Sequence, residues 1–270
     1  MEAEKGTFTT RDGIQLRTRR WAAQTPKAQV VIVHGIAEHS GRWEYVGERL
    51  ASRGYVVLGY DWRGHGESEG PRGHADTFEH MVDDLEEIMD SVRSDLPLIV
   101  YGHSAGGLIA ATYAVSARRQ PTGYVLSAPA LEAEVPAPLR LAAKVLGKVA
   151  PKLRLKSPID GSHLSRDPAV AEAYFADPLL QLPNTAQFGK DMLATMDRTR
   201  GKLHRISVPV LVVHGAEDQL VPPAASAPLA AVPTVRRRLL AGLRHEIHNE
   251  PERDQVLDEI ADWLDELVSA

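Results

Sequence analysis

Leu98-Ile99-Val100-Tyr101-Gly102-His103-Ser104-Ala105-Gly106-Gly107 runs an apolar tetrapeptide straight into Gly-x-Ser-x-Gly, and the stretch Leu108 to Ala117 behind it is helix-forming. A strand, a tight turn carrying serine and a helix together make a nucleophile elbow. The serine at the apex projects its hydroxyl away from the sheet, and the flanking glycines let the backbone turn and the helix pack close. Strain at such a turn is kept for function. A helix beginning just after Ser104 also aims free N–H groups, that of Ala105 above all, at negative charge developing beside the serine. The pentapeptide alone arises by chance in Gly- and Ser-rich chains; its strand-to-helix context decides the reading.

Outward from the elbow, further short apolar runs bounded by turn residues occur at Val30 to Val33, Tyr55 to Leu58, Tyr124 to Leu126 and Val210 to Val213. Such runs suit strands buried on both faces of a parallel sheet. Helical patterns lie between them. Phe78, Met81, Val82, Leu85, Ile88, Met89 and Val92 share one face, with Asp76 and Glu79 placed to cap the start. Val256, Leu257, Ile260, Trp263, Leu264 and Leu267 repeat the pattern near the C-terminus, with Pro251 near the first turn. Thr7 to Leu16 places Asp12-Gly13 between two alternating stretches, the signature of an antiparallel hairpin. The fold class is therefore α/β with a mostly parallel sheet. Between Pro129 and Arg205 prolines are frequent and no strand-like run appears, so residues 129–205 read as a helical insertion between core segments 1–128 and 206–270.

A serine hydroxyl needs a histidine to take its proton, and the histidine needs a carboxylate to fix its tautomer and stabilise the imidazolium. For an elbow of this kind the chain order is Ser, then Asp or Glu, then His. Val210 to Val213 leads into His214-Gly215-Ala216-Glu217-Asp218, which sets Asp218 on a loop at a strand's C-terminal end, where ligands gather in open α/β sheets. Asp218 is the expected acid and Glu217 its rival. Arg236 to Leu240 leads into Gly242-Leu243-Arg244-His245-Glu246-Ile247-His248-Asn249, where position leaves His245 and His248 equally placed as the base. Val30-Val31-Ile32-Val33-His34-Gly35-Ile36 is a strand ending in His-Gly, and Ile36 would supply a second oxyanion N–H; alone, His-Gly is also an ordinary turn.

Composition narrows the chemistry. The chain has 270 residues, no cysteine and a net charge of -5. Without cysteine there is no disulfide framework, no thiolate nucleophile and no cysteine-based metal site. The charge argues against nucleic acid as a partner. His245-Glu246-Ile247-His248 is one residue short of the zinc spacing His-Glu-x-x-His, so no metal and no cofactor is expected. No apolar run is long enough to span a bilayer and Met1 to Lys5 opens no apolar signal core, so the expected location is cytoplasmic.

At this point the sequence resembles the monoacylglycerol lipase family of the α/β-hydrolase superfamily. The matching stretches are His34 to Arg42, Asp61 to Gly70, the elbow, Ser165 to Pro168 and His245 to Arg253, and their order and spacing are more specific than any one of them. The resemblance implies an α/β-hydrolase fold, with helices on both faces of the sheet and a helical cap, residues 129–205, over an acyl-binding tunnel. It implies His245 rather than His248 as the base and supports Asp218. Ala105 departs from the pattern, since relatives usually carry Met after the nucleophile, and its smaller side chain puts the acyl size in question. Asp61 to Gly70, rich in glycine and charge, reads as a loop-shaping segment rather than a catalytic one.

The expected reaction is hydrolysis of a lipid carboxylic ester, monoacylglycerol to glycerol and fatty acid, through an acyl-enzyme. The main alternatives are a lysophospholipase or a short- to medium-chain carboxylesterase sharing the same catalytic residues; a peptidase of related architecture and, from another class, a ligand-binding sensor retaining a hydrolase site also fit the triad. Within the insertion, Leu139, Ala143, Leu146, Ala150 and Leu153 fall on one helical face, with Arg140, Lys144 and Lys148 on another and Lys152, Arg154 and Lys156 following. Pro129 to Asp160 holds six basic and three acidic residues. A basic amphipathic helix suits transient contact with an anionic lipid surface, but base rates favour simple packing on the core, because Gly147 weakens the helix and most amphipathic helices are packed ones.

Overall fold

The apolar runs assemble into one eight-stranded sheet in the computed structural model, which describes residues 2–133, 135, 137–155, 159–180 and 183–269. Its strands are β1 (Glu4–Thr9), β2 (Gln15–Trp21), β3 (Ala28–Val33), β4 (Tyr55–Tyr60), β5 (Leu98–His103), β6 (Gly123–Ser127), β9 (Val210–Gly215) and β10 (Val235–Leu240), in the order β1-β2-β4-β3-β5-β6-β9-β10. The predicted hairpin is the antiparallel β1–β2 pair, turning at Gly13 with φ 89°. β2 joins β4 antiparallel, and every other pairing is parallel.

The period-two alternation of each inner strand feeds two cores. Val31, Val33, Val100 and Leu126 face one layer, with α2 (Glu79–Val92), α3 (Ala105–Ala114) and part of α6 (Ala186–Arg200). Val30, Ile32, Ile99 and Tyr101 face the other, with α1 (Glu44–Ser52) and α7 (Arg253–Ser269). Parallel sheets need both faces covered, which is why these runs carry no polar alternation. α1 and α7 lie side by side in a constant register. Tyr45 meets Asp254, Arg49 meets Asp258 at 2.7 Å and Arg53 meets Asp262 at 2.6 Å, each pair 209 residues apart in the chain.

Three local expectations need correction. Asp76 does not cap α2: it turns towards His74 at 3.3 Å, and the Glu79 N–H is met by the Thr77 hydroxyl. α3 ends at Ala114, three residues short of the expected end. Residues 129–205 do contain strand, because β7 (Arg154–Leu155) and β8 (Asn184–Thr185) pair antiparallel.

Between β6 and β9 the chain otherwise forms α4 (Ala137–Val149), α5 (Pro168–Ala176) and α6. α4 packs towards α6 through Gly147, where a Cβ would stand 2.8 Å from the Lys190 side chain. The expected apolar face is incomplete: Ala143, Leu146 and Ala150 are half-buried, but Leu153 is exposed. Leu141, Val145 and Val149, which share a second stripe at i, i+4 and i+8, are 64%, 50% and 73% exposed. The Leu139 side chain and the whole of Lys156 lie outside the described residues.

Asp61 to Gly70 is built as a structural loop. The Asp61 carboxylate accepts N–H groups from Ser40 and Glu67, and the buried Arg63 guanidinium pairs with Asp12 and Asp84. Gly64, Gly66 and Gly70 all have positive φ, where a side chain would be strained.

Candidate active site

At the end of β5 the chain enters the elbow with Ser104 at φ 53° and ψ -118°. That conformation costs a non-glycine residue about 1–3 kcal/mol, so its surroundings must hold it. The Ser104 N–H donates to the Ser127 carbonyl at 2.9 Å, and the Ser104 carbonyl accepts N–H groups from Leu108 at 3.1 Å and Ala130 at 2.9 Å. A side chain at Gly106 would run into the carbonyl oxygens of Val33 and His34, and one at Gly102 would stand 2.6 Å from the Gly106 carbonyl oxygen. The motif's glycines therefore answer to steric contacts. As the first residue of α3, Ala105 carries an N–H that the helix cannot use.

Asp218 lies on the loop after β9, and its Oδ2 is 2.7 Å from His245 Nδ1. Its Oδ1 accepts the N–H groups of Leu220 and Val221, each at 2.9 Å. Burial works to raise this carboxyl, yet the His245 charge, the hydrogen bonds from His214 and His245 and that from the Val221 N–H hold it well below the usual carboxylate range. Burial likewise works to depress His245, but the Asp218 charge and hydrogen bond, with Glu246 and Glu38 behind them, keep it above the usual imidazole value of 6.5. Glu217, the rival acid, is exposed.

His248, the rival base, is fully buried in the core, stacked on Trp43 with ring centroids 4.2 Å apart, and burial pushes it down to about 4. Ser104 and His245 line the same cavity of about 230 Å³. No hydrogen bond joins their side chains among the described residues, a looseness common before substrate arrives.

The loop after β3 supplies the other wall. Ile36 lines the cavity, and the peptide carrying its N–H is oriented through the Gly35 carbonyl, which His34 Nδ1 approaches at 2.7 Å. His34 Nε2 accepts the Trp62 N–H at 3.0 Å, so Nδ1 carries the ring proton and donates it to Gly35. Ala37 is held at φ 57°, with its carbonyl accepting the Tyr174 hydroxyl of α5 at 3.2 Å.

Three functional-looking side chains escaped the motif reading. Arg42 binds Glu246 bidentately at 2.7 and 2.8 Å and Glu38 at 2.9 Å, and its guanidinium lies 4.9 Å from the Tyr174 ring centroid. Burial raises the Glu38 carboxyl against the pull of Arg42, whereas for Glu246 the Arg42 charge overcomes burial and brings it down to about 2. Glu38, Arg42 and Glu246 all line the cavity, as does Tyr174 opposite the guanidinium. The signal of the first three was present in the quoted stretches His34 to Arg42 and His245 to Arg253, but nothing in a linear sequence says that these two acids share one arginine.

Ser165 to Pro168 and the stretch around Glu250 are likewise one contact. Glu250 Oε2 accepts the Arg166 N–H at 3.0 Å and the Ser165 hydroxyl at 3.2 Å, while Oε1 accepts the Arg244 N–H at 2.7 Å, beside His245.

A family model described as serine aminopeptidase, S33, matches residues 24–252. The monoacylglycerol lipase of Mycolicibacterium smegmatis is 36% identical, over 96% of this chain and 95% of its own. Phospholipase YtpA of Bacillus subtilis is 33% identical over 92% of this chain and 99% of its own. The crystal structure of Paleococcus ferrophilus monoacylglycerol lipase superposes with a TM-score of 0.84 at 32% identity, covering 100% of this chain and 99% of that one. The likeness runs the length of the protein instead of gathering at the elbow, and this chain accordingly belongs to the monoacylglycerol lipase family of α/β-hydrolases.

Proposed function

We propose that the protein hydrolyses monoacylglycerol to glycerol and a free fatty acid. In this reading His245 takes the Ser104 proton as Oγ attacks the ester carbonyl, and the N–H groups of Ala105 and Ile36 hold the oxyanion. Asp218 keeps the imidazole in the tautomer whose bare Nε2 serves as base. His245 then protonates the departing glycerol, and a water activated by the same ring releases the fatty acid from Ser104. Each oxyanion donor is worth about 3 kcal/mol of barrier.

The observation that carries the substrate is the divided chemistry of the cavity wall. Ala133, Ile159, Leu164, Met192, Met196 and Val221 offer an acyl chain an apolar lining, whereas Glu38, Arg42 and Glu246 gather in one polar cluster suited to hydroxyl groups. The single guanidinium is already shared by two carboxyls, so the cluster has no cation to spare for a phosphate. That favours a neutral glycerol leaving group over the headgroup of a lysophospholipid. Ile159, Leu164, Met192 and Met196 come from residues 129–205, which supports reading that insertion as a cap over the acyl site.

A hydrolysis panel of monoacylglycerols, diacylglycerols, lysophospholipids and p-nitrophenyl esters of graded length tests the assignment. The expected preference is for monoacylglycerol; higher kcat/KM on lysophospholipids would overturn it. Ser104→Ala should abolish turnover of every ester while leaving the fold intact, and substantial residual turnover would refute the nucleophile.

The cap also supports peripheral docking on an anionic bilayer. Leu141, Val145 and Val149 stand exposed on α4, and Lys144 and Lys148 lie on the same helix. An apolar stripe with cations beside it can bury in the interface while its charges meet headgroups.

A further inference from the structure

We propose that His214 is a positioning residue for the reaction, the inner member of an Arg237–Ser226–His214 hydrogen-bond chain that fixes Asp218 independently of His245. This rests on the reading of Asp218 as the catalytic acid. His214 stands near the end of β9, and its Nε2 lies 3.1 Å from Asp218 Oδ2 and 2.9 Å from the Val221 carbonyl oxygen. A carboxylate and a carbonyl are both acceptors, so Nε2 must carry the hydrogen. The bare Nδ1 then accepts the Ser226 hydroxyl at 2.9 Å. Ser226 Oγ in turn receives Arg237 Nε at 3.0 Å, and Arg237 Nη2 donates to the Pro223 carbonyl at 2.7 Å.

The Ser226 hydroxyl has the Pro223 carbonyl oxygen as a second, longer acceptor at 3.2 Å; with its hydrogen on the nearer His214 Nδ1, each hydrogen along the chain points inward, towards Asp218. His214 and Ser226 are fully buried. An apolar residue at 214 would fill the same space without the cost of burying a polar ring, so the polar chain has to be justified by what it holds. It holds Oδ2, the one oxygen that also meets His245, and with Leu220 and Val221 on Oδ1 it gives the carboxylate four donors in all.

Two effects follow. A carboxylate pinned at both oxygens cannot swing, so the His245 ring is held in a single orientation. Oδ2 also divides its negative charge between two donors, which limits how strongly it stabilises the imidazolium. The titratable groups facing Asp218 are His245 and His214. Those facing His245 are Asp218, Glu246 and Glu38 on the acidic side, with His103 at 4.8 Å between ring centroids and His248 bearing on it as well. Removing the His214 donor concentrates the Oδ2 charge on His245, so the imidazolium persists to higher pH.

The test compares His214→Leu with His214→Gln in the full-length protein. The Gln amide reaches the place of Nε2 and keeps a donor there. His214→Leu should lower kcat about tenfold, the scale of one hydrogen bond to a charged group, with KM changed less than about twofold. The acid limb of its kcat/KM profile should move to higher pH, and His214→Gln should recover most of both losses. A Leu variant with wild-type kcat and acid limb, or Leu and Gln variants impaired alike, would overturn the proposal.

Should His214→Leu fail to fold, Ser226→Ala reads the same chain one step out. It removes the hydroxyl that His214 Nδ1 accepts, and should shift kcat and the acid limb in the same directions by less; wild-type values would overturn the chain. Asp218→Asn separates the two levels. Retained activity there sinks the underlying reading of Asp218, whereas an inactive Asp218→Asn beside an unaffected His214→Leu sinks only the role of His214.

Discussion

In the proposed mechanism His245 sets the pH at which the protein can work, because only its neutral ring would accept the Ser104 proton. Its pKa is held above 6.5 despite burial, by Asp218 first and then by Glu246 and Glu38. The kcat/KM profile of the free enzyme should therefore lose half its plateau value on the acid side at a pH above 6.5. A midpoint below 6.5 would contradict the electrostatic account of the ring. Arg42 is the other residue on which much depends. Arg42→Met leaves Glu38 and Glu246 buried without their cation, a loss of about 3–5 kcal/mol at neutral pH. Glu246, held at about 2, contributes stability that is complete above its ordinary value of 4.5 and fades as pH falls towards 2. The variant lacks that contribution, so denaturant unfolding should show its deficit shrinking as the solution is acidified. At this scale Ser104 and its glycines were legible because steric necessity leaves a local signature. The Glu38–Arg42–Glu246 cluster was not, since a shared arginine is a fact about two loops 204 residues apart.

Among the elements, the sheet was the easiest to read. Strands buried on both faces must be continuously apolar, and Val30 to Val33, Leu98 to Tyr101 and Val210 to Val213 all sit where their runs placed them. Helix ends were harder. Thr77, not Asp76, meets the first N–H of α2, because the loop before it directs Asp76 towards His74. At α5 the local rules hold. Asp167 accepts the Ala169 N–H at 2.9 Å and Pro168 opens the helix, so half of the Ser165 to Pro168 stretch is a helix start. Asp167→Ala should lower stability by about 1 kcal/mol, seen as a small fall in Tm, with kcat on a soluble ester unchanged. A large loss of kcat without a change in Tm would give Asp167 a role that its contacts do not. In α4 the pattern supports one apolar face, while the folded helix leaves a second stripe, Leu141, Val145 and Val149, open. A periodicity count finds apolar positions but not which neighbours the insertion supplies to cover them.

For the molecule as a whole, no described helix is long and apolar enough to cross a membrane, and the proposed docking through α4 is what a lipid-binding measurement would test. Flotation with anionic vesicles should carry the protein upward. Lys144→Glu with Lys148→Glu, and separately Val145→Asp, should each reduce the bound fraction without altering turnover of a water-soluble ester. Wild-type protein that stays with the soluble fraction, or charge variants that float as well as wild type, would end the docking proposal.

The pairing of α1 with α7 has a bearing on how the chain comes to be folded. Arg49 and Arg53 leave the ribosome about two hundred residues before Asp258 and Asp262, and the apolar faces of α1 and β3 await α7 for the same interval. Contacts so distant in sequence are slow to close. During synthesis, then, one side of the growing sheet stands uncovered until the final helix arrives, and a chain stopped before Arg253 would expose that side to its neighbours as a nascent, self-adhering surface.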